Sequence, residues 1–265
     1  MIIPTFNSSK TIDLVIRSAM SQTYPNIEVI VVDNNSVDET KKIAEKYKEV
    51  KVFNKGPERS AQRNCGAEKA KGSHLVFLDS DIELSPKVIE ECMDLVSKGY
   101  EIITFPEAIA GTGFWAKCRA LEARCYLGDD SVEAPRFYSK RVFSEVGGFD
   151  ENVTGVEDWD LRERIIRRGY RIGRIKAMTV HHEGKVTPMA RMRRKYYYGK
   201  TVDKYVRKYK SSVMRQIPFF RSCYYKNLKM LIKDPLHAMG FIVLKTLETL
   251  ATGIGIVRGK FESKK

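Results

Sequence analysis

Two carboxylates stand one residue apart at the point where an apolar segment of the sequence ends. Residues 75–78 are typical of a short buried strand, and Asp79-Ser80-Asp81 follows them directly. Ligands of open α/β sheets bind at the carboxyl ends of the strands, where these two side chains would lie. Carboxylate oxygens suit Mg²⁺ or Mn²⁺, especially a cation shared with substrate phosphates. Taken alone, the pair predicts either a metal site or a solvated turn, because Asp is also common in turns.

The elements that would position these carboxylates alternate between strands and helices. Short apolar or β-branched runs predict strands at residues 2–3, 27–32, 50–53, 75–78 and 101–105. Apolar residues at helical spacing predict helices at residues 10–22, 38–47, 60–70 and 86–98. Such a series predicts an α/β fold with a mostly parallel central sheet and crossover helices. Further along the chain we expect helices at 114–127, 156–168 and 189–210, and a strand at 171–180.

Polar residues follow the first two predicted strands as well. Pro4-Thr5-Phe6-Asn7 lies between a strand and a helix, and a helix N-terminus favours phosphate, so this loop is a candidate nucleotide site. Asp33 follows the second strand, where a carboxylate could accept hydrogen bonds from a base or a ribose. The alternative is that both stretches are ordinary loops, with Asn35 or Ser36 capping the next helix.

Four more residues have side chains that suit chemistry at a sheet edge. Arg63 lies one helical turn after Arg59 and could face a diphosphate, or both could be surface charges. Asp158 lies in the acidic start of a predicted helix; it could be a general base, although the helix dipole alone favours acids there. His181 and His182 end a later strand and are candidates for a third metal or phosphate contact, or for a structural role.

Taken in order, these segments resemble the family 2 glycosyltransferases of GT-A fold. The resemblance covers residues 1 to about 200 and does not extend to the tail beyond about residue 210. Each segment is short, and it is their order and spacing that make the resemblance specific. The segments are Ile3-Pro4-Thr5-Phe6-Asn7, Val31-Val32-Asp33-Asn34-Asn35-Ser36-Val37-Asp38, Arg63-Asn64-Cys65-Gly66, Phe77-Leu78-Asp79-Ser80-Asp81, Gly147-Gly148-Phe149-Asp150-Glu151 and Glu157-Asp158-Trp159-Asp160-Leu161.

The resemblance implies a nucleotide-sugar site built from the first loops of the sheet. Pro4 and Phe6 would border the nucleotide base, with Asn7 beside them, and Asp33 would form a hydrogen bond to the base. Arg63 would help to neutralise the diphosphate. The donor would be a UDP-, GDP- or dTDP-sugar, and the sequence does not specify which.

The resemblance also implies a metal site and a catalytic base. Asp81 would bind a divalent cation, Mg²⁺ or Mn²⁺, that carries the donor's diphosphate, and Asp79 would lie near the ribose or the metal. Either His181 or His182 would approach the metal or the diphosphate. Asp158 would remove the proton of the acceptor, so that this hexosyltransferase-type enzyme would invert the anomeric configuration. The acceptor would be a hydroxyl or phosphate of a glycan or of a lipid-linked glycan.

The predicted domain division follows from these roles. Residues 1–210 would form the GT-A catalytic domain, with a nucleotide-sugar half at about 1–105 and an acceptor half at about 106–210. Residues 211–265 would form a helical, amphipathic tail associated with a membrane.

Positive charge is concentrated in one region of this 265-residue chain, whose net charge is +14. Residues 185–235 contain fifteen Lys and Arg but only two acids, and three tyrosines lie among them at 196–198. Such a region favours anionic partners, among them nucleic acid, acidic lipid and phosphorylated substrates, or else it is a solvated basic face. Tyrosine beside lysine and arginine suits a bilayer surface as well as stacked bases.

The apolar segment at 236–257 distinguishes between these partners. One face of its predicted helix is apolar, whereas Lys245 and Glu248 lie on another face and argue against a simple membrane span. We therefore expect an amphipathic helix on an anionic membrane surface, peripheral at the inner face of the cell membrane, and no nucleic acid. Packing on the catalytic domain or against a second copy of the chain is the alternative. The apolar face consists of Leu236, Met239, Val243, Leu247, Leu250, Ile254 and Val257.

The cysteines and the N-terminal residues indicate the cellular compartment of the protein. The five cysteines show no C-x-x-C spacing, which indicates neither a disulfide framework nor a zinc site and suits the cytoplasm. The residues after Met1 do not follow the order of a signal peptide. Because the first predicted strand is short, we expect the native chain to start a few residues upstream.

Two other classes of protein account for less of the sequence. A nucleotidyltransferase would need a Gly- and Lys-rich phosphate loop, and residues 4–10 contain no glycine. A basic nucleic-acid-binding protein would leave Asp79, Asp81 and Asp158 without a purpose.

Overall fold

Strands and helices alternate over most of the chain. A computed structural model describes residues 1–209 and 221–262. The strands of these residues are β1 (Ile2–Thr5), β2 (Val29–Asp33), β3 (Val50–Asn54), β4 (His74–Val76), β5 (Ile82–Leu84), β6 (Ile102–Thr104), β7 (Glu107–Thr112), β8 (Pro135–Ser139), β9 (Ile172–Arg174) and β10 (Thr179–Lys185). The helices are α1 (Ile12–Met20), α2 (Thr40–Glu45), α3 (Arg59–Lys69), α4 (Val88–Ser97), α5 (Phe114–Tyr126), α6 (Lys140–Glu145), α7 (Glu157–Arg167), α8 (Pro188–Lys208), α9 (Ser222–Lys226), α10 (Leu228–Lys233) and α11 (Pro235–Glu262).

The central sheet brings the ends of β1 and β2 together. Both pairs β1–β2 and β2–β3 are parallel, and Thr5 lies opposite Asp33. A parallel bridge between Ile2 and Phe77 places the end of β4 beside β1. β4 then pairs with β8, β8 with β6, and β6 with β9. The predicted α/β architecture is confirmed, except that β8 runs antiparallel to both of its neighbours.

A second, smaller sheet was not predicted. Its order is β5-β10-β7, and β10 runs antiparallel to β5. The sequence analysis did not predict β5, β7, β8 or α6, and it treated β9 and β10 as one strand. β7 contains Ala108, Ala110 and Gly111, and β8 begins with a proline, so neither has the β-branched run on which strand prediction depends.

Helices cover both faces of the central sheet. Ile3 belongs to a core that includes side chains of α1, α2 and α4, whereas Ile2 belongs to a core with side chains of α3, α6 and α7. Neighbouring residues of a strand point to opposite faces, so one short strand serves both cores. A Cβ added at Gly66 would collide with Cγ2 of Ile2. This glycine therefore allows α3, which carries Arg63, to lie close against β1.

The chain packs as two compact units. The first consists of Met1–Glu107, Ala134–Glu151 and Glu157–His182, and the second of Ala108–Glu133, Asn152–Val156 and Glu183–Lys265. The predicted division into a nucleotide-sugar half, an acceptor half and a tail concerns function, and it stays a prediction. Residues 211–220 and 263–265 of the predicted tail lie outside the described residues.

In the second unit, α11 is packed closely against α8. A Cβ added at Gly199 of α8 would collide with the backbone oxygen of Thr252, and one added at Gly255 of α11 would collide with that of Tyr196. Glycine at these two positions lets the helix backbones approach each other closely. The long carboxyl-terminal helix is therefore an integral part of its unit.

A closed ring of six buried charges holds α11 in place. The ring alternates in sign, and its members come from α5, β10, α8 and α11: Arg119, Glu122, Lys245, Glu248, Arg191 and Glu183. Nζ of Lys245 lies 2.7 Å from Glu122 and 2.8 Å from Glu248. Each carboxylate thus has two cationic partners, which is the arrangement that makes buried charges tolerable.

Between residues 235 and 257, the outer face of α11 carries no Lys, Arg, Asp or Glu. Lys245 and Glu248 point into the unit, as the predicted helical faces require. The exposed positions between residues 235 and 257 carry apolar side chains, threonine, glycine or proline. By length and composition alone, α11 is the one helix in the described part of the chain that could cross a membrane. The large exposed side chains are Leu236, Met239, Ile242, Val243, Leu250, Ile254 and Val257.

Replacement of Glu248 by glutamine tests the ring. The variant Glu248→Gln deprives Arg191 and Lys245 of a buried counter-charge, so we expect the free energy of unfolding at pH 7 to fall by about 3–5 kcal/mol. The control Glu262→Gln affects an exposed carboxylate that pairs with Lys200 and Arg258, and it should change the stability far less, since ion pairs in water contribute little. Urea unfolding followed by circular dichroism measures both values.

Acid should weaken the ring in the wild-type protein. Burial would raise the pKa of Glu248, but Lys245 and Arg191 lower it from 4.5 to about 2. The stabilisation is therefore complete above pH 4.5 and is lost as the pH falls towards 2. Glu248→Gln should lose less stability than the wild type between pH 7 and pH 3, and equal losses would contradict this assignment.

Candidate functional site

The loops after β1 and β2 are bonded to each other at the carboxyl edge of the sheet. Asn7 has a left-handed backbone (φ 50°), and its N–H donates to Oγ of Ser36 at 2.8 Å. Oδ1 of Asn7 accepts from the N–H of Val37 at 2.9 Å. Asp33 is buried and accepts from both the N–H (2.8 Å) and the hydroxyl (2.5 Å) of Ser36. The two segments predicted as a nucleotide site therefore form one structure.

The residues predicted to border a base differ in how accessible they are. Phe6 is 57% exposed at the tip of the first loop, whereas Pro4 is buried within β1. Phe6 can therefore lie against a planar ligand, and Pro4 shapes the strand beneath it. The roles of Pro4, Phe6, Asn7 and Asp33 in binding a base stay predictions.

Both oxygens of Asp79 are held by arginines. Oδ1 accepts from Arg63 at 2.7 Å and Oδ2 from Arg136 at 3.3 Å. Burial would raise the pKa of Asp79, but the two guanidinium groups hold it well below its usual range. Asp79 is therefore fixed in place by two arginines. Its predicted role near the metal or the ribose stays a prediction, as does the role of Asp81 as a cation ligand.

Arg63 joins two acidic motifs that are far apart in the sequence. Its side chain is 1% exposed, and its guanidinium lies 5.0 Å from the centre of the Phe149 ring. Besides Asp79, it contacts Asp158 at 2.9 Å and Glu157 at 3.4 Å. Burial would lower the pKa of Arg63, but these three carboxylates raise it. The guanidinium of Arg63 thus contacts three carboxylates of the chain, and its contact with a diphosphate stays a prediction.

The two acids that begin α7 differ in what can reach them. The side chain of Glu157 is 1% exposed and contacts Arg59 at 2.6 Å as well as Arg63. Its burial raises its pKa. Asp158, by contrast, is 35% exposed while its Oδ1 contacts Arg63. Asp158 is therefore the more accessible acid of this pair, and its role as the catalytic base stays a prediction.

The neighbouring histidines of β10 have different partners. Nε2 of His181 lies 3.1 Å from Oδ2 of Asp81, and its Nδ1 lies 2.9 Å from Oε1 of Glu107. His182 instead contacts Glu83 at 2.8 Å. Burial would lower the pKa of His181, but the hydrogen bonds to Asp81 and Glu107 raise it to about 10. The structure thus brings His181 beside Asp81 and does not bring His182 there.

Asp81 and His181 fit a divalent cation. Two neighbouring ligands of an octahedral cation with bonds near 2.1 Å are about 3 Å apart, and the Oδ2–Nε2 distance is 3.1 Å. A carboxylate oxygen and an imidazole nitrogen are donors that Mn²⁺ accepts. Over residues 1–209 and 221–262, no group of three or more His, Cys, Asp or Glu side chains is placed to hold a metal.

Two residues of this cluster were not predicted. Arg136 donates to Asp79 and also to Oε2 of Glu107 at 2.8 Å. Burial would raise the pKa of Glu107, but Arg136 and His181 lower it to about 2. Both residues lie at the start of strands that the sequence did not predict. The one signal in the sequence is that each directly follows a proline, Pro106 or Pro135.

The sheet and the helices around it have the GT-A fold of glycosyltransferases. The chain belongs to glycosyl transferase family 2, whose family model matches residues 1–149. The enzyme class predicted from the sequence is thereby confirmed.

Relatives in three organisms are also glycosyltransferases. The AglE glycosyltransferase of Haloferax volcanii is 34% identical over 64% of this chain and 62% of its own length. The E. coli UDP-Glc:alpha-D-GlcNAc-diphosphoundecaprenol beta-1,3-glucosyltransferase WfaP is 40% identical over 31% of this chain and 34% of its own. An uncharacterised glycosyltransferase of Haemophilus influenzae is 34% identical over 39% and 44%. The chain spans about half the length of the curated relatives it matches.

Solved structures share the fold at low sequence identity. The mannosyltransferase PcManGT from Pyrobaculum calidifontis, in complex with GDP-Man and Mn²⁺, aligns with a TM-score of 0.67 at 17% identity, over 97% of this chain and 86% of its own. S. aureus TarS 1-349 aligns with a TM-score of 0.58 at 17% identity, over 97% and 87%. At this identity the likeness establishes the fold alone.

Replacement of Arg63 tests its place between the carboxylates. In Arg63→Met, Asp79, Glu157 and Asp158 would share no central cation, so we expect the free energy of unfolding to fall by about 3–5 kcal/mol at pH 7. Because carboxylates crowded in this way bind protons more readily, the variant should recover stability as the pH is lowered towards 5. Urea unfolding at both pH values measures this.

The matched control is Arg141→Met. Arg141 is exposed and pairs with Glu101 and Glu145, so its loss should change the stability far less than the loss of Arg63. Equal stability of Arg63→Met and Arg141→Met would contradict the central role of Arg63.

Proposed function

We propose that this glycosyltransferase moves a hexose from a nucleoside-diphosphate sugar to an acceptor hydroxyl or phosphate, with a divalent cation and with inversion at the anomeric carbon. The observation that carries the proposal is the Arg63 guanidinium, which contacts both Asp79 and Asp158. It places the segment proposed to hold the diphosphate next to the acid proposed to activate the acceptor. A transferase needs these two functions at one centre.

Asp158 is proposed as the catalytic base. Its Oδ1 is bonded to Arg63, and Oδ2 has no hydrogen-bond partner among the described residues. Oδ2 is therefore placed to take the proton of the acceptor while Arg63 holds the carboxylate in one orientation. Direct attack of the acceptor on the anomeric carbon needs no covalent intermediate, so the product is inverted.

Asp81 and His181 are proposed to hold the cation. When bound, a divalent cation supplies the positive charge that stabilises the leaving diphosphate. The loops after β1 and β2 would hold the nucleotide, with Phe6 beside the base and Asp33 shaping the second loop. The structure of PcManGT in complex with GDP-Man and Mn²⁺ supports a donor and a cation of this kind. The nucleotide of the proposed donor is UDP, GDP or dTDP.

A lipid-linked glycan is the proposed acceptor. The relative WfaP is named for transfer to a diphosphoundecaprenol-linked sugar, and a Campylobacter jejuni relative, 31% identical over 38% of this chain, is named for transfer to a PP-undecaprenol glycan. An acceptor of this kind is confined to a membrane, so the enzyme has to work at its surface.

We place an anionic membrane surface against the second unit. The outer face of α11 is apolar over about 33 Å, since 22 residues each rise 1.5 Å. Exposed apolar side chains continue it through α9 and α10: Tyr225, Leu228 and Ile232. Exposed lysines lie beside them, at Lys226, Lys229 and Lys233. An apolar stripe bordered by lysines is complementary to a leaflet with anionic headgroups.

The cytoplasmic side of that membrane suits the cysteines. All five are free thiols in the structure, and free thiols are typical of a reducing compartment. The proposed location is therefore peripheral, at the inner face of the cell membrane.

The catalytic proposal is tested with Asp158→Asn. A thermal-shift screen of UDP-, GDP- and dTDP-sugars with Mn²⁺ first identifies the donor, since a ligand of the folded state raises its stability. With that donor, Asp158→Asn should lower the turnover number by about 10²–10⁴-fold, because general base catalysis is lost, with donor affinity unchanged. The control Asp94→Asn, at an exposed position of α4, should leave both values unchanged.

The stereochemistry of the product is a second readout of the same reaction. The anomeric proton coupling in the NMR spectrum of the product should show the configuration opposite to that of the donor. Retention, or full turnover by Asp158→Asn, would overturn the proposed mechanism.

Membrane binding is tested with the lysines that border the apolar stripe. The triple variant Lys226→Gln, Lys229→Gln, Lys233→Gln should bind vesicles containing anionic lipid about 100-fold more weakly, at about 1 kcal/mol for each lysine. The control Lys10→Gln, Lys46→Gln, Lys48→Gln removes the same charge from exposed positions of the first unit and should bind normally. Vesicle co-flotation at several salt concentrations measures binding.

Two results would contradict the membrane proposal. One is equal binding by the two triple variants, since net charge alone would then explain the attraction. The other is a concentration-dependent dimer that does not float with vesicles, because the apolar face would then bind a second copy of the chain.

A further inference from the structure

Two neighbouring histidines on one strand each have a carboxylate partner of their own. Glu107, at the start of β7, contacts Nδ1 of His181 at 2.9 Å. Glu83, on β5, contacts Nε2 of His182 at 2.8 Å. The two pairs thus engage opposite ring nitrogens. The other ring nitrogen of His181, Nε2, lies 3.1 Å from Oδ2 of Asp81, a second acid of the site.

We propose that Glu107 is a positioning residue that holds the His181 ring for the cation. A carboxylate that accepts the Nδ1–H of a histidine keeps the proton on that nitrogen and leaves Nε2 as the ligand atom. Here Nε2 is the nitrogen that faces Asp81. The inference rests on the proposed function in one respect, namely that Asp81 and His181 hold a divalent cation.

Glu107 is itself held at both oxygens. Oε1 faces His181, and Oε2 accepts from Nη2 of Arg136 at 2.8 Å. Nη1 of Arg136 reaches Asp79 at 3.3 Å. One arginine therefore connects the positioning carboxylate with the Asp79-Ser80-Asp81 segment, so that the His181 ring and Asp81 are oriented with respect to each other.

Because of this geometry, replacement of Glu107 by glutamine tests the two hydrogen bonds of its carboxylate. Glutamine has nearly the same size, but it offers a single acceptor oxygen where Glu107 serves two donors. If that oxygen stays on Arg136, the amide NH₂ faces Nδ1 and the imidazole proton moves to Nε2, where it blocks a cation. If the oxygen stays on His181, the NH₂ faces the guanidinium and the side chain is pushed away. Either way, His181 is no longer held as a ligand.

The experiment compares Glu107→Gln with Glu83→Gln. Mn²⁺ alone is titrated into each full-length protein, and free Mn²⁺ is followed by electron paramagnetic resonance. Glu107→Gln should bind Mn²⁺ about 10–100-fold more weakly than the wild type, as expected for loss of an outer-sphere partner. Glu83→Gln, which alters the partner of His182 in the same manner, should bind as the wild type does. Thermal unfolding without metal shows that each variant is folded.

A double-mutant cycle separates positioning from general structural damage. If Glu107 acts through His181, adding Glu107→Gln to His181→Gln should weaken Mn²⁺ binding no further. This comparison holds even if Glu107→Gln alone loses stability, because His181→Gln and the double variant both lack the His181 ligand. An additional loss in that background would overturn the proposal, because Glu107 would then act by another route.

The remaining outcomes are also decisive. Wild-type affinity in Glu107→Gln, or an equal loss in Glu83→Gln, would overturn the role of Glu107 while leaving the cation site intact. Failure of the wild type itself to bind Mn²⁺ would instead overturn the cation site of the proposed function, and with it the role of Glu107.

Discussion

The arrangement of acids at this site depends on a single buried guanidinium. Arg63 contacts Asp79, Glu157 and Asp158, and without it three carboxylates would face one another away from bulk water. The position of Arg63 in turn requires α3 to lie close to β1, which Gly66 permits. A glycine in a helix, a strand of four residues and an arginine therefore together determine the position of Asp158, the proposed base. This dependence explains why the arginine is buried although it carries a charge.

The sequence predicted the places of the polar motifs better than the roles of individual side chains. Residues at the end of a strand can be assigned to the sheet edge from periodicity alone, and Asp33 and Asp81 lie where they were expected. The spacing of Arg59 and Arg63 shows only that they are one helical turn apart. It does not show that Arg63 turns inward, because burial depends on partners almost a hundred residues later in the chain.

The elements that the sequence did not predict are those that carry the remaining charges of the site. Glu107 and Arg136 begin strands in which alanine, glycine and proline replace the usual β-branched residues. Such strands form because neighbouring strands of the sheet provide their hydrogen-bond partners. The local sequence pattern contains no information about those partners. In the second unit, by contrast, periodicity separated the two faces of α11 correctly, since a helix keeps its faces whatever it packs against.

The bonded loops after β1 and β2 have a consequence for how a donor is recognised. Asn7 and Asn35 both adopt left-handed backbone conformations (φ 50° and 54°), and Asn7 joins its loop to Ser36 and Val37. These hydrogen bonds join the two loops that would form the walls of the proposed base pocket. If a nucleotide binds here as proposed, its association would lose little conformational entropy from these bonded loops, so that more of the contact energy would remain as affinity. Discrimination between bases would then rest on complementarity to the two loops.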